Sequence, residues 1–417
     1  MGRWKALGVA ALFLASAALA NSCTITIGSI MSLTGSLGAL GQQIAEGAKL
    51  AVSDINAAGG VNGCQLKMVL FDDQTQPSVG VDDAKKLVDI YKVPAIIGAL
   101  SSGVSLPVLT SVTAPAHVVL FSPASTSPTF TVLAQEGKTG GYWFRDVPSD
   151  ALQGVAMAKL ALDKGFKRVA VVYLNNAYGV GLAGRFKNAF TKLGGTVTAY
   201  VTYNPNQPSY QSEVSQALQG NPQALFLIGY PGDGTTVARE WIAAGGPQNF
   251  LFPDGLESQQ FVTDVGPQYM KEVWGTAPGA ENTPSLKIFE EGFAGKYGSY
   301  PTQAYITNAY DAVMIVALAM EAGHGDTAQI IKDNIRRVTG TTGIPIYAGA
   351  AQFKKAKELL AQGKKIYYVG AAGTYTFDAY GDVTAPMDVW TVKGGKVVQV
   401  GQISVPEIEA VLKKIGM

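Results

Sequence analysis

Short apolar or alternating runs take turns with longer amphipathic stretches along most of this chain. The runs Thr24–Ile30, Gln65–Phe71, Ala95–Ile97 and Val118–Phe121 are too short for helices and predict buried strands. Between them, the spacing predicts helices over Ile44–Ala57, stopped by Gly59-Gly60, over Val79–Tyr91, and over Val104–Ala114 with Pro107 near its start. Strand alternating with helix implies a parallel sheet covered on both faces.

A strand-like piece at Tyr142–Asp150 ends in Ser149-Asp150, a good helix N-cap pair, and the pattern then restarts. Helix Ala151–Lys164, strand Arg168–Leu174, a helix ending at Leu193, strand Thr196–Tyr203, helix Tyr210–Leu218, strand Ala224–Ile228, helix Thr235–Ala244 and strand Phe250–Phe252 follow. Two rounds of one pattern indicate two similar α/β lobes.

The tail does not complete a third round. Leu286–Tyr297 and an amphipathic Ala304–Glu321 are predicted helices, with another near Lys354–Gln362 in an otherwise irregular stretch. Met387–Val392 and Lys396–Val400 flank a glycine turn as a hairpin. Such remnants suit a chain that crosses back between lobes near Val147, Ala277–Gly279 and Asp378–Gly381. The expected division is 21–147 with 279–377 for one lobe and 148–278 with 378–417 for the other. Several crossings make a hinge whose closure buries a ligand between the lobes.

The first twenty residues belong to neither lobe. Arg3 and Lys5 precede an apolar run ending in the small-residue pattern Ala18-Leu19-Ala20, which reads as a secretory signal cut after Ala20. The alternative, a membrane anchor, needs roughly 20 apolar residues, and this run is shorter. Export leaves Cys23 and Cys64 in an oxidising compartment, each just before a predicted strand. Neighbouring parallel strands bring their starts together, so a disulfide is expected, with lipidation of Cys23 as the alternative. A net charge of +1 gives no reason to expect nucleic acid as a partner.

Candidate chemistry sits at strand ends. Ser101-Ser102-Gly103 and Ser122-Pro123-Ala124-Ser125-Thr126 place hydroxyls and helix N–H groups at the carboxyl ends of two neighbouring strands, where open α/β sheets bind small ligands. A carboxylate finds donors there without any lysine or arginine. Catalytic signatures are missing: His117 and His324 have no metal-ligand spacing, and there is neither a nucleophile elbow nor a P-loop. Asp72-Asp73 reads as a solvated or capping pair rather than a metal site. An exported α/β chain without an assembled acid–base or nucleophile set reads as a binder, not an enzyme, and no cofactor is expected.

Several segments resemble one family. SIMSLTGSLGALGQQIAEGAKLAVSDINAAGGVNG, GALSSGVSLP, FSPASTSPTF, FRDVPSDALQG, NNAYGVGLA, FLIGYPGDG and FPDGLESQQF are similar, in order, to the extracytoplasmic solute-binding proteins of branched-chain amino acid ABC transporters. The late YYVGAAGTYTFDAYGDV is similar to a motif of one subgroup. The resemblance implies the type I periplasmic binding fold: two Rossmann-like lobes with parallel central sheets joined by a multi-strand hinge. It implies a monomeric periplasmic receptor that captures an amino acid and delivers it to membrane permease subunits. A binder of an amide or aromatic carboxylate, or a sensory ligand-binding protein, is the alternative.

The resemblance also implies roles. Ser102 matches the serine that holds the ligand carboxylate, and Ala124 and Thr126 the strand-end pair that meets carboxylate and amino group. Ser125 stands where alanine is common. Tyr178 and Tyr230 match aromatics that close over the ligand from the second lobe, and Asp254 the acid that pairs with the ammonium, one methylene shorter than the usual glutamate. Leu40, read as a loop residue before Gly41, replaces a pocket tyrosine. The residues themselves agree: a zwitterion needs donors for one end and an acid for the other.

Overall fold

A computed structural model describes residues 23–301 and 303–417; the proposed secretory signal lies outside them. The first lobe is built from β1 (Thr24–Met31), α1 (Gly38–Ala57), β2 (Gln65–Asp72), α2 (Pro77–Asp89), β3 (Ala95–Gly98), α3 (Ser102–Val108), β4 (Val119–Ser122), α4 (Thr129–Gln135) and β5 (Trp143–Arg145). Its strands run parallel in the order β2-β1-β3-β4-β5. Strands β3, β4 and β5 are buried along their whole length, as their apolar runs require. One face packs Ile96, Leu120 and Trp143 with Val104 and Val108 of α3. The other joins the main core with Ile97, Phe121 and Ile44 of α1.

The second lobe repeats the plan with α5 (Asp150–Asp163), β6 (Arg168–Leu174), α6 (Ala177–Lys192), β7 (Thr196–Tyr203), α7 (Gln211–Leu218), β8 (Ala224–Ile228), α8 (Pro231–Ala243), β9 (Asn249–Phe252), α9 (Gln259–Val265) and β10 (Glu272–Pro278). Read from its own first strand, the order β7-β6-β8-β9-β10 is again 2-1-3-4-5, all parallel. In such sheets the strand order reverses between the first and third strands, and ligands bind outside the carboxyl ends there. Each lobe therefore presents loops after its first, third and fourth strands to one shared cleft.

The rest of the chain is α10 (Pro284–Tyr297), α11 (Ile306–Gly323), α12 (Ala328–Val338), β11 (Ile344–Ile346), α13 (Ala350–Ala361), β12 (Ile366–Tyr368), β13 (Met387–Lys393), β14 (Lys396–Ile403) and α14 (Val405–Ile415). Helices α10 to α13 cover the first lobe, while β13 and β14 extend the second sheet antiparallel beyond β10. Three segments join the lobes, with Pro148 bridged to Val383 and the Gly279 N–H donating to the Pro386 carbonyl at 2.8 Å.

The Cys23–Cys64 disulfide is present, joining the starts of β1 and β2, where Thr24 pairs with Gln65. Helix α11 corrects the sequence reading. It is buried around nearly its whole circumference, not amphipathic, because α1, α12 and α13 enclose it. Helices α4, α9, α12 and α14 escaped the sequence reading, although cap signals were present for some of them. Thr327 caps α12 by accepting from Ile330 N, and Ser404 with Glu407 forms a capping box at the start of α14. The predicted Val104–Ala114 helix is α3 from Ser102, continuing at Leu109–Thr113 as a π-helical turn.

Candidate functional site

The cleft gathers most of the predicted residues. Leu40, Ser102, Ala124, Tyr178, Tyr230 and Asp254 line one cavity, joined by Leu37, Ile44, Leu100, Gly255 and Tyr305. Its free volume is about 20 Å³, room for roughly one water. The protein's own side chains fill the cleft because the lobes are closed on each other. Ser101 Oγ and Tyr230 Oη lie 3.0 Å apart across it, Ser127 Oγ donates to the Ala177 carbonyl at 2.8 Å, and Gly232 N–H donates to the Ser36 carbonyl at 3.0 Å. Glycine permits the last contact: a Cβ on Gly232 would stand 2.8 Å from Ser36 Cα.

From the first lobe come an apolar wall and a set of hydroxyls. Leu40 is not in a loop. It lies in the first turn of α1, which begins at Gly38, earlier than the Ile44 start its apolar spacing suggested. With Leu37, Ile44 and Leu100 it makes the wall. Ser101 caps α3 by accepting from Gly103 N–H. Ser102 Oγ accepts from Ser127 N–H at 3.2 Å, which leaves its own proton to donate. Ser125 is a correction to the site set. Its hydroxyl turns into the lobe, to the Ala99 and Leu100 carbonyls and Ser105 Oγ, and it does not line the cavity. Buried carbonyls at the crowded end of β3 need donors, and Ser125 supplies one. Thr126 does not line the cavity either. Its hydroxyl donates to Asp150 Oδ2 at 3.0 Å, and its carbonyl accepts from Asp150 N–H at 2.8 Å.

The second lobe supplies an acid that lies between one phenol of its own and one from the first lobe. Tyr178 and Tyr230 stack with ring centres 5.5 Å apart and planes 7° off parallel. Tyr178 Oη donates to Asp254 Oδ1 at 2.9 Å, and Tyr305 Oη donates to Oδ2 at 2.5 Å. Burial raises the Asp254 carboxyl above the usual range although both phenols pull the other way. Asp150 is driven up further, first by burial and then by the charge of Asp254, and its Oδ1 has no hydrogen-bond partner. No ion pair holds either acid among the described residues; the nearby Arg145 is committed elsewhere.

Arg145, Asp150 and Tyr305 were missed in the sequence. Arg145 is fully buried and bonds Asp382 Oδ1 at 2.7 Å, the Ser127 carbonyl at 2.9 Å and Thr131 Oγ1 at 3.0 Å. It thereby ties the Ser122–Thr131 loop to the third crossing. Asp150 was read only as part of a cap. Ser149 is the cap, accepting from Ala151 N–H, which frees the Asp150 carboxyl to meet the Thr126 hydroxyl beside Asp254. An arginine and two aspartates crowded into Arg145–Asp150, at the end of a short apolar strand, were the available signal. Tyr305 was read as part of the predicted Ala304–Glu321 helix; it is the residue before α11, with φ of +69°.

Comparison with known proteins decides what this cleft belongs to. The family described as periplasmic binding protein matches residues 24–396. This chain is a member of that family. A curated relative, Leu/Ile/Val-binding protein homolog 3 of Brucella melitensis, is 30% identical over 92% of this chain and 95% of its own. The substrate-binding protein BasB of a chemotactic signal transduction system in Halobacterium salinarum is 28% identical over 85% and 84%. Among solved structures, the leucine-binding protein LivK of Thermotoga maritima superposes with a TM-score of 0.77, at 26% identity, covering 92% of this chain and 99% of that one. As a periplasmic binding protein, the chain has the two-lobed type I fold and is a solute-binding receptor rather than an enzyme.

Proposed function

We propose that this periplasmic binding protein is the extracytoplasmic receptor of an ABC importer for an amino acid with an apolar side chain. The observation that carries the reading is the pair Asp150 and Asp254: two buried acids, Asp254 lining the cleft and Asp150 beside it, neither held in an ion pair among the described residues. An ammonium group satisfies both, whereas an aromatic carboxylate adds a third anion beside them. The ligand carboxylate lies on the opposite lobe, against the Ser102 hydroxyl and the backbone of Ala124–Thr126. Its side chain runs along Leu37, Leu40, Ile44 and Leu100, with Tyr178 and Tyr230 closing over it. Thr126 acts through Asp150, which its hydroxyl orients.

The receptor works as a monomer in the periplasm, with the lobes divided as 21–147 with 279–377 and 148–278 with 378–417, and it delivers its ligand to membrane permease subunits. The likeness to a chemotactic substrate-binding protein favours sensing as the second reading. The test is a thermal-shift and calorimetric screen of leucine, isoleucine, valine, phenylalanine, leucinamide and benzoate. A ligand at 100 times its Kd adds about 2.7 kcal/mol of stability. Binding of benzoate but of no amino acid would overturn the proposal.

A further inference from the structure

We propose that the hinge contains a second binding site, for an organic cation bearing an alkylammonium or guanidinium group. The site is a cavity of about 280 Å³, near the lower end of the size range for ligand pockets. All three segments that join the lobes line it, through Asp146 and Pro148, Pro278–Glu281, and Val383–Ala385. Four carboxylates border it, those of Asp146, Glu257, Glu281 and Asp388, and no lysine, arginine or histidine does.

Acidic residues gathered on a surface are usually just solvated. Asp146 is different. It is only 3% exposed, and neither of its carboxylate oxygens has a hydrogen-bond partner. Asn308 Nδ2 donates to its backbone carbonyl at 2.9 Å, which fixes the main chain and leaves the carboxylate unspent. Burial, and after it the charge of Asp311, holds the Asp146 carboxyl well above the usual range, and an occupant that brings N–H donors would give it the partners the protein does not. Glu257, reached from the cavity, is pushed up to about 8 by burial and by the charges of Asp388 and Asp254. The four acids are not gathered as metal ligands are: no group of three or more His, Cys, Asp or Glu among the described residues could hold a metal ion. Separated carboxylates suit an extended cation with several N–H donors.

Two sources offer that chemistry. One is a free diamine held at the hinge. The other is the far end of a basic amino acid whose α-amino group lies at Asp254, because Tyr305 lines both cavities and is the side chain they share. Either way the site is separate from the apolar wall that receives a leucine side chain.

The experiment titrates the mature chain calorimetrically with 1,4-diaminobutane, L-arginine and L-leucine at constant ionic strength, in wild type and in Asp146→Asn, Glu257→Gln and Asp254→Asn. Asp146→Asn exchanges a carboxyl without hydrogen-bond partners for an amide of the same shape and breaks no contact, and Glu257→Gln is a second, independent variant. The expected result is saturable binding of diaminobutane or arginine that weakens about tenfold or more in Asp146→Asn, the loss expected for one charged hydrogen bond. Leucine binding should be the same in Asp146→Asn and wild type, which separates this site from the cleft. A free cation binds alongside leucine and is indifferent to Asp254→Asn. A basic amino acid spanning both cavities competes with leucine and is lost in both variants. If neither cation gives saturable heat beyond a sodium chloride control, or if Asp146→Asn and Glu257→Gln bind them as wild type does, the site does not exist.

Discussion

Replacing Asp254 by asparagine separates the cost of a buried acid from its use. The carboxylate is 3% exposed and accepts one phenol on each oxygen. An amide of the same shape still accepts from one phenol and donates to the other, so the local packing survives. What disappears is the charge that the proposed ligand ammonium would face. Removing one member of a desolvated, hydrogen-bonded charge pair costs about 2–5 kcal/mol, a loss of about 30-fold to a few thousand-fold in affinity. Without ligand the change has the opposite sign, because burial holds the Asp254 carboxyl above its usual range and the amide carries no such penalty. The thermal midpoint of the free protein should therefore stay level or rise while leucine affinity falls. Calorimetric titration with leucine and scanning calorimetry on both proteins measure the two halves. Benzoate, which has no ammonium, should bind Asp254→Asn as well as or better than wild type. Unchanged leucine affinity in the variant would refute the reasoning, and with it the role given to the acid pair.

Three further outcomes follow from particular contacts. Burial pushes Asp73 and Asp311 up to about 6 and Glu257 to about 8, so between their unfolded pKa values and these the folded chain holds more protons than the unfolded one; stability should fall as pH rises from about 4 to 8, and a midpoint that climbs over that range in scanning calorimetry would contradict it. Gly232→Ala places a Cβ against the Ser36 backbone only when the lobes close, so overpacking of about 1–3 kcal/mol should cut leucine affinity about 5- to 150-fold while leaving unfolding in the absence of ligand nearly unchanged. The Cys23–Cys64 bridge spans 41 residues, and the loop-closure estimate gives it about 4 kcal/mol; reduced protein should melt lower, and identical melting with and without reductant would show that the bridge contributes nothing.

The architecture was legible because buried parallel strands announce themselves. The apolar runs of β3, β4 and β8 admit no other placement, and the restart near Asp150 marks the second lobe. The acids at the cleft were harder to read. Asp254 was picked out by its place in a motif, whereas Asp150, four strands earlier, has an ordinary local role, the first helical residue after a serine cap. Local chemistry cannot say that a capping-type aspartate lies beside a second acid that the same lobe brings in some hundred residues later. Tyr305 escaped for the same reason: its hydroxyl reaches an acid 51 residues away in sequence. Ser125 erred in the other direction, since a strand-end hydroxyl can serve the ligand or the crowded carbonyls beneath it, and only the path of β3 decides.

On the proposed reading, the same two acids link ligand binding to closure. With the lobes apart, Asp150 and Asp254 are hydrated and ionise at little cost. Bringing the lobes together strips that water, and Asp150 keeps one oxygen without a donor. Closure without a cation is thus penalised by the residues that make closure with one favourable. A ligand shifts an equilibrium only by its differential affinity for the two states. Moving a population from mostly open to mostly closed takes about 5.5 kcal/mol of such preference. An ammonium between two desolvated carboxylates is of that order, since each charged hydrogen bond contributes about 1.5–3 kcal/mol. The contacts of Tyr230 with Ser101 and of Ser127 with Ala177 hold the closed form once it is reached. They offer no such preference, because neither touches the charge whose burial must be offset. An alcohol or hydrocarbon that merely fills the apolar wall should therefore bind weakly and leave the lobes parted, whatever its shape.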